Sequence, residues 1–363
     1  MRPLIFVVHK YLGLFIGVYL LVICATGAVL ILLENRIDNF LDYPVVHVEP
    51  RAHTQSLQKM LQTVQHAYPH QSVSHILKSC ERGCTYDVSI SRPNDDRIDV
   101  LVDPYTAKIV QSSVWSTTPV GFMYAFHANL FAGDKGSHLN SYISLIAVLM
   151  VGCGFYLWPG WRNVRNSFSV KWNASTWRVN FDVHKIVGFT CALFFVYIIV
   201  TGIATVLISE PTPTASPAPN VKSLRPALGL DMLVSIADRA LPGRTTMIYP
   251  PATSVAPLRV RKVVTGDPDP YGWSYVSVDQ RSGAVIERED STRWPLWWRT
   301  YTYFYPLHIG SVGGYPLRFL YVVLALAPTV LYFTGFLMWL DRLRRDEQVV
   351  LARSGNASAH RSL

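Results

Sequence analysis

The stretch VHKYLGLFIGVYLLVICATG, residues 8–27, returns as VHKIVGFTCALFFVYIIVTG, residues 183–202. Both copies open on His-Lys (His9-Lys10 and His184-Lys185). Both place a glycine four residues after the histidine (Gly13 and Gly188) and close on Thr-Gly (Thr26-Gly27 and Thr201-Gly202), with no gap in the alignment. Beyond the opening His-Lys neither copy carries a charge, and each is long enough to cross a bilayer, whose hydrocarbon core takes about 20 helical residues. A repeat of this kind means that the chain is one architecture written twice.

A second pair of matches completes the two halves. His127 precedes Gly154-Phe155 by 27 residues and Trp158 by 31; His308 precedes Gly335-Phe336 by 27 and Trp339 by 31. Four uncharged runs result, Tyr11 to Leu33, Leu139 to Trp158, Ile186 to Ser209 and Phe319 to Leu340. The whole composition agrees, with 363 residues, half of them hydrophobic and only 16% charged, as expected of a membrane protein with sizeable soluble parts. The net charge of +9 is not a nucleic-acid footprint, because the cations flank the apolar runs instead of gathering in one basic domain. The first run exceeds a signal-peptide core and lacks a small-residue cleavage site, so it reads as a retained helix.

Orientation follows from the cations on the short flanks: Arg2 and Lys10, then Arg162, Arg165, Lys171, Arg178 and Lys185, then Arg342, Arg344 and Arg345. The positive-inside rule puts both termini in the cytoplasm and the soluble mass outside, in the periplasm of a bacterial inner membrane. The expected layout is a first span to residue 33, an outer module over 34–126, a second span over 127–158 and a cytoplasmic loop over 159–183. It then repeats, with a third span over 184–209, a linker and second outer module over 210–307, a fourth span over 308–340 and a tail over 341–363.

Within the outer segments, 102–110 (VDPYTAKIV) parallels 278–286 (VDQRSGAVI), each reading as strand, turn and strand. Amphipathic stretches, Leu57 to Ala67 and Leu230 to Leu241, precede them. The fold class is thus a membrane all-α four-helix bundle of two parallel pseudo-symmetric repeats, with two small α+β modules outside. The linker Pro211 to Pro219 is expected to be extended. Cys24, Cys153 and Cys191 lie inside spans as small apolar residues, whereas Cys80 and Cys84 read as a local disulfide in an oxidising compartment, with a redox role as the other reading.

A two-fold relation between the halves pairs His9 with His184 near the cytoplasmic face and His127 with His308 near the outer face. Opposed imidazoles from facing helices are what an axial bis-histidine haem requires, so one haem is expected near each face. No Cys-x-x-Cys-His occurs, so the haems would be b-type. Two imidazoles without nearby Asp, Glu or Cys make a poor pathway for zinc or copper. His138 is the spare ligand candidate, although its counterpart is Phe319. Lys10 and Lys185 read either as partners of haem propionates or as snorkelling flank residues. Gly13 with Gly17, and Gly188 with Ala192, read either as a helix-packing face or as room for a porphyrin. Aromatic residues crowd the outer histidines, among them Trp115, Phe122, Tyr124, Trp294, Trp297 and Trp298, as an interfacial belt, a docking floor, or both.

On His9, Lys10, Gly13, Thr26, Gly27 and their repeats, with Val278, Asp279 and Gly283 in the second outer segment, the chain resembles the PepSY-associated transmembrane proteins over nearly its whole length. The first outer segment departs from the pattern with Ala107 in place of the glycine. The resemblance implies PepSY-like outer modules. Within the family it is similar to inner-membrane dihaem siderophore reductases of the ferrioxamine B type, which implies reduction of a ferric, hydroxamate-class siderophore in the periplasm. No dinucleotide fingerprint is present, so an external donor is expected, either quinol or a cytoplasmic flavoprotein. Two rival expectations stand beside this one: a cytochrome b-type subunit feeding another periplasmic acceptor, and a non-redox regulatory protein whose outer modules bind a partner.

Overall fold

The computed structural model describes residues 1–33, 46–78, 83–92, 96–208 and 226–359. They divide into two compact units: Met1–Ala28, Ser141–Val200 and Val322–Leu363 form one, and Val29–Asn140 with Thr201–Tyr321 the other. The linker at 211–219 and Cys80 lie outside the described residues. Cys84 is disulfide-bonded, and Cys24, Cys153 and Cys191 are free.

Among the described residues four helical segments are long and apolar enough to cross a membrane: Arg2–Leu33, Gly133–Trp161, Thr176–Leu207 and Ser311–Gln348, with mean hydropathies of 2.7, 1.8, 2.4 and 1.9. They fall where the uncharged runs are and extend beyond them. In the first unit, helices α1 (Arg2–Leu33), α4 (Gly133–Leu157), α6 (Thr176–Leu207) and α10 (Ala327–Ala359) pack through small and polar contacts. Tyr19 Oη lies 3.1 Å from Ser144 Oγ, and a Cβ on Gly17 would meet the Tyr332 ring at 3.0 Å. Cys191, Phe195 and Ala327 form the buried apolar kernel. The short helix α5 (Val164–Ser167) lies in the loop before α6.

The structure divides two of the expected spans. The segment 127–158 is not one helix: α3 (Pro119–Asn129) ends at Leu130 and Phe131, whose φ angles of 50° and 62° are left-handed, and α4 starts afresh at Gly133. Likewise α8 (Leu296–Ile309) stops at Gly310, at φ 73°. The chain then resumes as α9 (Gly314–Ala325) and, after Leu326, as α10. Pro328 explains that last break, because a proline has no N–H to donate within a continuing helix but is accommodated in the first turn of a new one.

The second unit is built on a single antiparallel sheet. Strands β1 (Val73–Lys78), β2 (Tyr86–Ser91), β3 (Arg97–Val102) and β4 (Ile109–Val114) come from the first half, and β5 (Arg244–Tyr249), β6 (Leu258–Val263), β7 (Ser274–Val278) and β8 (Val285–Glu289) from the second. Their order is β4-β3-β2-β1-β5-β6-β7-β8. The two expected modules are thus fused, with β1 paired to β5 through Ile76↔Ile248 and Leu77↔Met247. Period-two alternation turns Val88, Ile90, Val100 and Val102, and likewise Leu258, Val260, Val276 and Val278, into one core. That core is covered by α2 (Leu57–Ala67) and α7 (Leu230–Ala240), which contribute Met60, Leu61 and Val64, and Leu233, Val234 and Ala237. Asp231 on α7 accepts the Leu57 and Gln58 amides at 2.8 and 3.2 Å, and Gln58 Oε1 accepts the Leu230 amide at 3.4 Å, so each half of the repeat helps to start the other's helix.

The hairpin turns explain the alanine for glycine exchange. Ala107 and Gly283 occupy the same position of the same turn, at φ 56° and 72°, and Asp103 and Asp279 hold the two turns by accepting local amides. Glycine is free there; alanine carries left-handed strain of about 1–2 kcal/mol, offset in part by burial of its methyl group at 3% exposure.

Between β6 and β7, Asp267 accepts the Trp273 amide, and Asp269 accepts the Tyr271 amide and the Trp273 indole N–H at 2.8 and 2.9 Å. The Trp273 ring then meets Tyr301 of α8 edge-on, centroids 5.3 Å apart. Burial pushes the Asp269 carboxyl up to about 6, against the pull of Arg261. A carboxyl whose folded pKa is raised stabilises the fold most when both states are protonated, and that contribution is lost as pH rises through the folded value. Amide-exchange protection of 271–274, corrected for intrinsic rates, is therefore expected to fall between pH 4 and pH 7. A profile flat over that window refutes the assignment.

Candidate functional site: two histidine pairs

Each unit brings one pair of the expected histidines together. In the first, His9 on α1 and His184 on α6 have ring centroids 6.3 Å apart at an interplanar angle of 82°. In the second, His127 on α3 and His308 on α8 are 6.2 Å apart at 49°. All four rings are half-buried. Each pair takes one histidine from each half of the repeat.

The hydrogen bonds decide the tautomers. His9 Nδ1 lies 3.1 Å from the Met150 carbonyl; a carbonyl only accepts, so Nδ1 carries the proton and Nε2 keeps the lone pair. His184 Nδ1 lies 3.0 Å from Thr334 Oγ1. That hydroxyl donates to Val330 and Leu331 carbonyls, so it accepts from His184, and Nε2 is again the basic nitrogen. His308 Nδ1 lies 3.4 Å from Thr201 Oγ1. Tying down one ring nitrogen to orient the other is the outer-shell arrangement of metal-binding histidines.

The repeated glycines acquire a reason. A Cβ on Gly154 would lie 2.9 Å from His9 Cε1, one on Gly335 3.4 Å from His184 Cε1, and one on Gly202 2.7 Å from His308 Cε1. Each of these rings rests on a bare backbone from its own half of the repeat while facing the other half's histidine. Gly13 differs from Gly17: a Cβ there would meet nothing within 4 Å, so one turn beyond His9 the helix borders open space, whereas Gly17 and Gly188 pack against Tyr332 and Leu331.

The pairs fit axial ligation of a haem. Two imidazoles bound through Nε2 to opposite faces of one iron, with metal–nitrogen bonds of about 2 Å, have centroids about 6 Å apart. Among the described residues no three His, Cys, Asp or Glu side chains converge on one point. A bare ion would therefore have only two protein ligands, whereas a haem iron brings four equatorial nitrogens and asks the protein for two more.

The remaining candidates are placed as follows. Lys185, 8% exposed, is held by Asp182 at 2.5 Å. Asp182 also takes Arg178 at 3.2 Å and the Lys171 amide, tying the preceding loop to the head of α6 two residues before His184. Lys10 has no such partner among the described residues and lies over the Tyr11 ring at 4.3 Å. His138 is exposed and bonds back to the Asp134 carbonyl of its own helix at 2.7 Å. The aromatic residues near His127 and His308 make local tilted ring contacts, Phe122 with Phe131 at 4.8 Å and Trp297 with Trp298 at 4.0 Å, and Phe122 and Trp297 remain exposed. Asp182, Thr334 and the Met150 carbonyl went unread in the sequence. The Asp-x-x-Lys spacing was a usable signal for the first, since residues three apart share a helix face, while a backbone carbonyl has no side-chain signature.

No curated protein matches the chain. A family model, that of the PepSY-associated TM region, matches residues 6–342, which takes in both histidine pairs, all four membrane-length helical segments apart from their ends, and the sheet. The chain is a membrane protein and belongs to the PepSY-associated transmembrane family.

Proposed function

We propose that this protein is a bacterial inner-membrane electron conduit that holds two b-type haems, one between His9 and His184 and one between His127 and His308, and reduces a ferric siderophore in the periplasm. The observation that carries it is the doubled arrangement of opposed histidines at 6.3 and 6.2 Å, with Nδ1 of three of the four against an oxygen. When bound, each haem supplies a one-electron carrier. The protein's part is to fix the imidazoles, make Nε2 more basic through the Nδ1–H bonds, and keep the surroundings apolar.

The positive-inside flanks support cytoplasmic termini and electron entry at the pair beside them, His9 and His184, from quinol or a cytoplasmic flavoprotein. Family resemblance supports the substrate class, and the chemistry gives it a purpose: hydroxamate oxygens are hard ligands that grip Fe(III) and hold Fe(II) far less firmly. The sheet and its helices support PepSY-like outer modules as the platform for that encounter.

The test is an absorption spectrum of the detergent-purified protein before and after dithionite, with a pyridine haemochrome count. Two b haems per chain, reoxidised by a ferric hydroxamate with ferrous iron captured by a chelator, is the expected result. A protein that stays colourless when expressed with ample haem overturns the redox reading. Haems that a ferric hydroxamate leaves reduced overturn the substrate alone.

A further inference from the structure

The halves are not equivalent at the end that carries His9 and His184. In the second half α10 runs on without interruption past Trp339, but in the first α4 stops at Leu157 and the chain turns through Trp158 and a short 3-10 helix, Pro159–Trp161. At that turn lies an open cleft of about 520 Å³, lined by Phe155, Tyr156, Trp158 and Trp161 together with Gly152, Arg2 and Arg162.

The cleft carries charge that the protein leaves unmet, and one of its aromatic walls is fixed. Trp158 is 6% exposed, yet its indole N–H has no hydrogen-bond partner among the described residues. The ring cannot swing away to find one, because it stacks on Phe189 at 3.7 Å, meets Trp161 edge-on at 5.3 Å, and lies where a Cβ on Gly160 would collide with it. Arg2 donates to the Leu157 carbonyl at 3.3 Å. Among the described residues neither Arg2 nor Arg162 has an acidic partner, and both are exposed. Two uncompensated guanidinium groups call for an anion with several acceptor oxygens.

The walls say what the anion is attached to. Tyr156 and Trp161 are 53% and 58% exposed on a membrane-length segment, where amphipathic rings sit at headgroup depth. We propose that the cleft binds the headgroup of one anionic phospholipid, its phosphate between Arg2 and Arg162, its chains along the outer surface of α4. A zwitterionic headgroup is a poorer occupant, since its ammonium would stand beside the second guanidinium. In the other half Trp177, Phe333 and Leu343 align with Arg2, Gly152 and Arg162, so neither guanidinium recurs there.

Native mass spectrometry of the full chain in neutral detergent, titrated with phosphatidylglycerol or phosphatidylcholine, tests this. Wild type should retain one phosphatidylglycerol, with affinity about thirtyfold above that of the Arg2→Gln/Arg162→Gln variant, the size expected for two basic groups against an anionic headgroup. Gly152→Phe should lose the same lipid with both arginines in place; a Cβ there meets nothing within 4 Å, so the fold is retained, and circular dichroism checks it. Equal retention in all three proteins overturns the proposal. So does equal retention of phosphatidylcholine, displacement by inorganic phosphate at the lipid's own concentration, or a quinone held there instead.

Discussion

Alanine in place of His308 is expected to take the purified protein from two b haems per chain to one while the helical circular-dichroism signal stays unchanged. The ring lies 6.2 Å from His127 in the last turn of α8, which Gly310 terminates through its backbone, so the helix end does not need the imidazole. A haem left with one axial histidine loses half its protein ligation and is lost on purification. The remaining haem reports the pair His9 and His184 alone, so its reduced α-band should match what is left when His127 is replaced, and differ from what is left when His184 is. An unchanged haem count sinks the assignment of the pair His127 and His308.

Valine at Gly202 should have an effect of the same size without touching a ligand. The Cβ alone would stand 2.7 Å from Cε1 of His308, closer than non-bonded atoms come, and a tight 3.1 Å from its Nδ1, and two further methyl groups leave the ring no room to lie where it does. The displaced imidazole also gives up its contact with Thr201. Gly188→Ala is the matched control on the same helix, since a Cβ there meets Leu331 at an ordinary 3.5 Å. Loss of one haem in Gly202→Val and of none in Gly188→Ala is the expected pattern. Two haems in both would mean that the ring does not depend on this bare stretch of helix.

The histidine pairs were legible because duplication doubles every signal: a lone boundary histidine says little, but four at matching offsets define two pairs. The spans were legible from hydropathy, while their divisions were not. Leu130 and Phe131 take left-handed φ angles that no leucine or phenylalanine advertises, so a turn there looks like more helix. Fusion of the modules into one sheet was invisible for a different reason. Pairing of β1 with β5 joins residues about as far apart as the two halves themselves, and local patterns specify a strand's faces but not its neighbour. Ala107 shows the opposite case, a departure visible in the sequence whose position, the left-handed residue of the turn, only the backbone angles supply.

The junction at β1 and β5 has a bearing on descent. Equivalent strands that pair antiparallel, Ile76 with Ile248, meet as the same edge of two identical subunits would meet across a two-fold axis, and the histidines obey the same logic, since each pair takes one ring from each repeat. A chain of half this length would present a bare strand edge and a single unmatched imidazole at each position, and would complete both by associating with its own copy through an isologous interface. Covalent fusion of such a homodimer removes the need for the halves to find each other. It also frees them to diverge, as they have where Arg2 and Arg162 stand opposite a tryptophan and a leucine.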